Sequence, residues 1–329
     1  MTMIHVPSNR FIEGELSPAV VGIEGWFTLR AIRRSGRVTR ERKFKVRSGA
    51  SFHNLITTLG LNRFGSQTSN NLYCYCHVGT GTTPPADSDT QLVNFLANVT
   101  TSYPTPSSTN SGSPDYYSAM ILRWTSAIGA LGNNNLTEVG ISGQTTNGLL
   151  FSRELIRDSE GGPTTFPIGS DEQLEVTYEL RMYPKLTDTE ATVTIGASSY
   201  DTVTKPLDVS NTSYWGPAQP GSFNNNTSVI SGSTGTRVFT GEPVAITAGI
   251  NSISGALGET TSVSADSYTN DSFYRDGIAT WDITTGNGNI RTAQFRFGCA
   301  LFQTRYDPVI PKLNTQVLTL RQRIAWARR

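Results

Sequence analysis

The stretch YCYCHVGTGTTPPADSDTQL, Tyr73 to Leu92, gathers most of the side chains that could do chemistry in this sequence: two thiols, an imidazole, a Gly-Thr-Gly turn and two aspartates. Cys74, Cys76 and His77 invite a metal, but their spacing argues against one. In a strand, residues i and i+2 share a face while i+1 points away. Cys74 and Cys76 would then point together and His77 apart, whereas a tetrahedral site needs convergent ligands. Cys299 is isolated in sequence, and three cysteines are too few for a disulfide framework, so reduced thiols are expected. Gly79-Thr80-Gly81 lacks the third glycine of a dinucleotide loop and the Gly-Lys-Ser/Thr of a P-loop. Pro84-Pro85 also forbids a helix N-terminus where phosphate would need one. The stretch reads as a strand end and a turn, with neither metal nor cofactor.

Other routes to catalysis are as thin. A histidine triad or zinc site would consume nearly all of His5, His53 and His77, and no Gly-x-Ser-x-Gly, His-Glu-x-x-His or Walker sequence occurs. Asp87 with Asp89, or Asp171 with Glu172, would make a carboxylate pair for glycan cleavage. Carboxylates beside turns are mostly caps, Asx-turns or solvated charges, and Asp87-Ser88-Asp89 lacks the repeated oxygen ligands and glycine of a calcium loop. No catalytic residue is expected, and the chain reads as a non-enzyme.

The elements that would carry these residues are short strands. Only 16% of the 329 residues are charged and 36% are hydrophobic, the remainder being rich in Ser, Thr, Asn and Gly. That mix suits strands and turns better than long helices. The expectation is an all-β fold, mainly antiparallel β-sandwich domains with one short helix in the N-terminal third. A net charge of +1 gives no global field to recruit nucleic acid or membrane. No signal peptide is visible and no run of about 18 apolar residues would span a bilayer, so a soluble, cytosol-made chain is expected.

Residues 1–24 read as an N-terminal arm, 25–186 as a first β-rich domain and 187–329 as a second sandwich, with strands from 291–329 available to return to the first. Gly25 to Gly49 reads as a hairpin turning at Ser35-Gly36. It holds Arg30, Arg33, Arg34, Arg37, Arg40, Arg42, Lys43, Lys45 and Arg47, a third of the 27 basic residues, against the single acid Glu41. These nine are candidate interface residues, facing solvent or a protein neighbour rather than DNA. The helix is expected over 51–60, with Phe52, Leu55, Ile56 and Leu59 on one face and Gly60 as its stop. In EQLEVTYELRMYP, Leu174, Val176, Tyr178, Leu180 and Met182 alternate with polar residues, which predicts a half-buried strand. Beyond Lys185 the chain turns Thr/Ser-rich, and Tyr200, Tyr214, Trp215 and Tyr274 are candidate glycan contacts there. LLFSREL through MYP is echoed by ALFQTRYDPVIPKLNTQVLTL, a pseudo-repeat of one strand pair.

Five pieces in order, NLITTLGLNR (54–63), HVGTGTTPPADSDTQLVN (77–94), LTEVGI (136–141), LLFSRELIRDSEGGPTTFPI and LEVTYELRMYP, resemble tail and collar-fibre structural proteins of tailed bacteriophages. In that group a Gly-x-Gly turn followed by PP…D…LVN precedes a TEVG strand and an LF hairpin strand. The resemblance covers about 40% of the chain, from roughly Ala50 to Pro184. It implies a non-enzymatic virion component of the tail, collar or neck, made in the host cytoplasm, forming a symmetric homo-oligomer and contacting other virion proteins. It transfers no catalytic residue. The alternatives are a tail module recognising a host receptor or surface glycan, and a head-decoration protein. No heptad run or collagen-like shaft occurs, which favours a compact ring or anchoring part over a needle.

Overall fold

The computed structural model describes residues 10–15, 18–33, 35–45, 56–66, 75–100, 105, 107–158, 160–211, 214–215, 235–250, 252–298 and 300–329. Strands take up 55% of the described residues and helix 3%, so the fold is all-β and sandwich-like. In chain order the elements are β1 (Arg10–Glu15), β2 (Ala19–Arg33), β3 (Val38–Lys45), α1 (Thr58–Ser66), β4 (Tyr75–Gly79), β5 (Phe95–Asn98), β6 (Ser107–Asn110) and β7 (Ser118–Thr125). They continue with β8 (Asn134–Leu136), β9 (Glu138–Ser142), β10 (Leu150–Leu155), β11 (Phe166–Ile168), β12 (Glu172–Pro184), β13 (Thr189–Ile195) and β14 (Ser198–Pro206). The last are β15 (Arg237–Phe239), β16 (Ala256–Glu259), β17 (Ser262–Ala265), β18 (Tyr274–Trp281), β19 (Gly288–Phe297), β20 (Ala300–Lys312) and β21 (Gln316–Arg328).

The main sheet runs β17-β18-β21-β2-β12-β7-β6, with β1 added on β21 and β3 on β2. Its centre is β2, whose Val21, Ile23, Phe27, Leu29 and Ala31 turn inward while the alternate residues face out. β12 pairs antiparallel along the length of β2 and shows the alternation its sequence implies. On the other side β21 runs parallel both to β1 and to the start of β2. Residues 10–15 and 19–24, read from the sequence as part of an arm, are therefore strands of this sheet. Leu186 marks no break between sheets either, because β18 and β21 from beyond it share the sheet with β2 and β12.

A six-stranded sheet, β13-β14-β20-β19-β15-β16, packs against the main one. Thr304 Oγ1 on β20 reaches Gln322 Oε1 on β21 at 3.3 Å and shares a hydrogen bond with Thr204 Oγ1 on β14 at 2.8 Å. These buried groups answer one another, which removes most of the cost of placing them in a core. Around them one hydrophobic cluster spans both sheets and takes in Trp124, Trp215, Trp281 and Trp326. A four-stranded sheet, β10-β9-β4-β5, carries the Cys/His stretch, and β8 pairs with β11. The two echoing segments are laid out alike: β10 to β12 and β20 to β21 each leave a smaller sheet and end beside β2.

The helix differs from its expected place. It runs Thr58–Ser66 rather than 51–60, and residues 51–55 lie outside the described residues. Ile56 is committed to a β-bridge with Ser152, and Thr57 caps the helix by accepting the Gly60 N–H on its hydroxyl at 2.9 Å. Gly60 lies inside the helix and does not stop it. A Cβ there would sit 2.2 Å from the Phe151 carbonyl oxygen, so glycine serves the close approach of helix to strand. The far end of the chain clamps α1: Trp326 Nε1 donates to Leu61 O at 2.9 Å and Arg328 Nε to Ile56 O at 2.7 Å.

Candidate functional site

Strand β4 takes Cys76 and His77 into the interior. Both are fully buried, and no group of three or more His, Cys, Asp or Glu suited to a metal exists among the described residues. Cys74 and Cys299 lie outside them. His77 Nε2 lies 2.9 Å from Gln144 O, which assigns the proton to Nε2, and its ring meets Phe95 edge-on at 5.0 Å. Burial lowers the His77 pKa, against the pull of the Gln144 carbonyl, so the ring is a neutral strut. Burial pushes the Cys76 thiol well up, away from the reactive thiolate. In a Cys74→Ser/Cys299→Ser variant, Cys76 is expected to resist maleimide in native buffer and to react fully in denaturant, read by intact mass.

The Gly-Thr-Gly turn does cradle an anion, and the anion is the chain's own. Glu138, the first residue of β9, is 0% exposed. Its Oε1 accepts the N–H of Gly81 at 3.0 Å and of Asn94 at 2.8 Å, and its Oε2 accepts the N–H of Val93 at 3.2 Å. Arg153 on β10, 1% exposed, donates Nε to Glu138 Oε2 at 2.9 Å, Nη1 to Asp89 Oδ2 at 2.6 Å and Nη2 to Thr83 O at 2.7 Å. The glycines follow from this. A Cβ on Gly81 would lie 2.4 Å from Glu138 Oε1, and one on Gly79 2.6 Å from it. Asn147 closes the far side, its amide exchanging two hydrogen bonds with the Leu92 backbone. Three of the five sequence pieces named above therefore converge: Asp89 with the Gly-x-Gly loop, Glu138 of the TEVG strand and Arg153 of the LF strand. Sequence reasoning missed Glu138 and Arg153. The one available signal was charge set in short strands, Glu138 in LTEVGI and the neighbouring Arg153 and Glu154 in LLFSREL.

The carboxylate pairs separate into individual salt bridges. Asp87 Oδ2 takes Arg328 Nη1 at 2.9 Å while Asp89 takes Arg153. Asp171 pairs with Arg33 at 3.1 Å. Glu172, buried, accepts from the Thr39 hydroxyl at 2.6 Å, Arg40 Nη2 at 2.6 Å and the Gly169 N–H at 2.7 Å. Burial alone would raise its pKa; the Thr39 and Gly169 hydrogen bonds with the Arg40 and Arg33 charges outweigh that and hold it low.

These contacts also revise the basic hairpin. Arg30 bridges Glu41 and Glu175, Arg33 meets Asp171, and Arg40 meets Glu172, so β12 and the turn before it supply the counter-charges. Glu172 is 132 residues from Arg40, beyond any local reading of charge. Arg37 stands exposed at the hairpin end. Arg34, Arg47 and the side chains of Arg42, Lys43 and Lys45 lie outside the described residues. The exposed pairs are worth up to about 1 kcal/mol each.

The four rings named as glycan contacts do not form an exposed platform. Tyr200 and Trp215 are buried, Trp215 donating Nε1 to Leu207 O at 2.9 Å and packing edge-on against Phe302. Tyr214 is half-buried with the Arg296 guanidinium 5.0 Å from its ring centre. Tyr274 belongs to the other sheet, beside Arg323. A Thr/Ser-rich segment has few large side chains with which to build a core, and Tyr200 and Trp215 are spent there.

Among the described residues, Glu154, beside Arg153, is the one buried carboxyl with a raised pKa. Desolvation lifts it to about 7 from an ordinary 4.5, against Arg157, the Leu155 N–H and Arg153. Between those values the folded chain binds more proton than the unfolded one, so this group's contribution to stability falls as pH rises through the window. Glu154→Gln is expected to flatten that slope and to be the more stable protein above pH 7, measured as urea midpoints from pH 5 to 8.

The fold and these contacts define an all-β, sandwich-like protein whose buried charges hold loops in place. No protein-family model, curated protein or solved structure matches the chain.

Proposed function

We propose that this chain is a non-enzymatic structural component of a tailed-bacteriophage virion, a tail, collar or neck part that works as a symmetric oligomer. The observation that carries the reading is the convergence at Glu138. Three of the five pieces whose order resembles phage structural proteins meet in one buried unit, in which Asp89, Glu138 and Arg153 are spent on loop geometry. A buried ion pair enclosed by backbone N–H groups suits a rigid building block.

Light scattering on the purified chain, with antibody labelling of virions in negative stain, tests this. A discrete ring-sized oligomer and label at the neck or tail support it. A stable monomer labelling the head surface would transfer the reading to decoration, and substrate turnover by the pure protein would end it.

A further inference from the structure

The outward face of the main sheet carries side chains that a merely solvated face would not need. Outward positions at one end of β2 and β12 hold Glu24, Trp26, Arg181 and Tyr183, with Tyr117 beside them on the approach to β7. They form a continuous stack. The Arg181 guanidinium lies 4.5 Å from the centre of the Trp26 ring and 4.3 Å from that of Tyr117; Tyr117 and Tyr183 are 5.4 Å apart; the Arg329 guanidinium lies 3.7 Å from the centre of Tyr183. Glu24, almost fully buried, fixes the row from below by accepting from the Tyr183 hydroxyl at 3.0 Å and Trp26 Nε1 at 3.3 Å. Side chains already held in place lose little rotamer freedom when something binds on them.

At the Tyr183 end this pavement opens into a cleft of about 270 Å³, lined among others by Gly22, Asp115, Tyr116, Tyr183, Lys185 and Arg329. The Arg329 side chain lies across Gly22 and over the ring of Tyr183, which is 8% exposed, so the open aromatic wall is Tyr116. Lys185 and Arg329, both exposed, place two positive side chains at the cleft beside the carboxylate of Asp115, which pairs with Arg329 at 3.5 Å and is 83% exposed. An aromatic wall takes the C–H face of a sugar ring, Asp115 can accept from ring hydroxyls, and a guanidinium beside an ammonium matches a carboxylate.

We propose that this cleft binds one residue of an acidic sugar, a hexuronate-type ring whose carboxylate sits at Arg329 and Lys185. The site stands apart from the assembly reading, and it replaces the aromatic residues that the sequence suggested for a glycan.

Saturation-transfer NMR on the full chain, with sodium glucuronate and glucose as the probes, tests it. The expected result is ring-proton transfer from glucuronate with a millimolar Kd, the order its dozen or so heavy atoms can supply, and about tenfold weaker binding of glucose. Tyr116→Ala and Arg329→Gln should each weaken glucuronate by about tenfold, with unfolding midpoint and light-scattering mass unchanged. No transfer from glucuronate well above that Kd, equal binding of the two sugars, or binding indifferent to both variants would overturn the proposal. A change in mass without a change in sugar binding would also count against it, since that places these residues in assembly instead.

Discussion

Arg153→Leu is expected to lower the free energy of unfolding by about 3–5 kcal/mol, the cost of breaking a buried ion pair from one side. Glu138 would remain enclosed with its main counter-charge gone, Asp89 would keep only the Ala86 N–H, and the Thr83 carbonyl would lose the guanidinium as well. Glu138→Leu should be at least as severe, because the Gly81, Val93 and Asn94 N–H groups would be left without an acceptor at about 1–3 kcal/mol each. The double variant decides what the cluster is. A plain ion pair exchanged for two apolar residues often costs nothing. If the carboxylate is instead the anion of a backbone cradle, the double variant stays as unstable as Glu138→Leu. Urea unfolding of the three variants reads the difference, and recovery of the double variant to wild-type stability would remove the cradle interpretation.

Gly60→Ala should destabilise strongly where helix propensity alone forecasts a gain of about 1 kcal/mol. The new Cβ would lie 2.2 Å from the Phe151 carbonyl oxygen and 3.1 Å from Ile56 Cγ2. That carbonyl also accepts the Thr57 N–H at 2.9 Å, so moving it away breaks the capping residue's own anchor. Overpacking of this kind costs about 1–3 kcal/mol and more when backbone must shift, and the upper part of that range is expected. Gly112→Ala is the control: nothing lies within 4 Å of its Cβ, and a change within about 0.5 kcal/mol is expected from thermal unfolding. Equal effects at the two positions would mean that the helix is free to move off the strand.

What the sequence disclosed follows the reach of each interaction. The alternation in β12 and the turn between β2 and β3 depend on neighbours two to four residues apart, and both are visible in the string. The all-β class follows from composition in the same way. The helix moved because its limits are decided by Ser152 and Phe151, nearly a hundred residues on, while the local apolar pattern fitted either placement. The basic hairpin looked like a charged surface because its partners lie on and just before β12. The carboxylate that fills the Gly-x-Gly turn arrives from β9, and no local rule points there. Aromatic residues were the least legible: Trp215 and Trp26 are one residue type, one a core filler from a loop packed on Phe302 and the other part of a stack on the outward face of β2, and only that placement separates them.

The parallel pairing of β21 with β1 and with the start of β2 has a mechanical consequence. A pull toward the N-terminal side at Arg10 and toward the C-terminal side at Arg328 would slide these strands along one another. Their hydrogen bonds would then share the load at once instead of parting one after another from an end. Tension carried through the chain would meet its main resistance at this seam, and the loops and smaller sheets between would be shielded until it gave way.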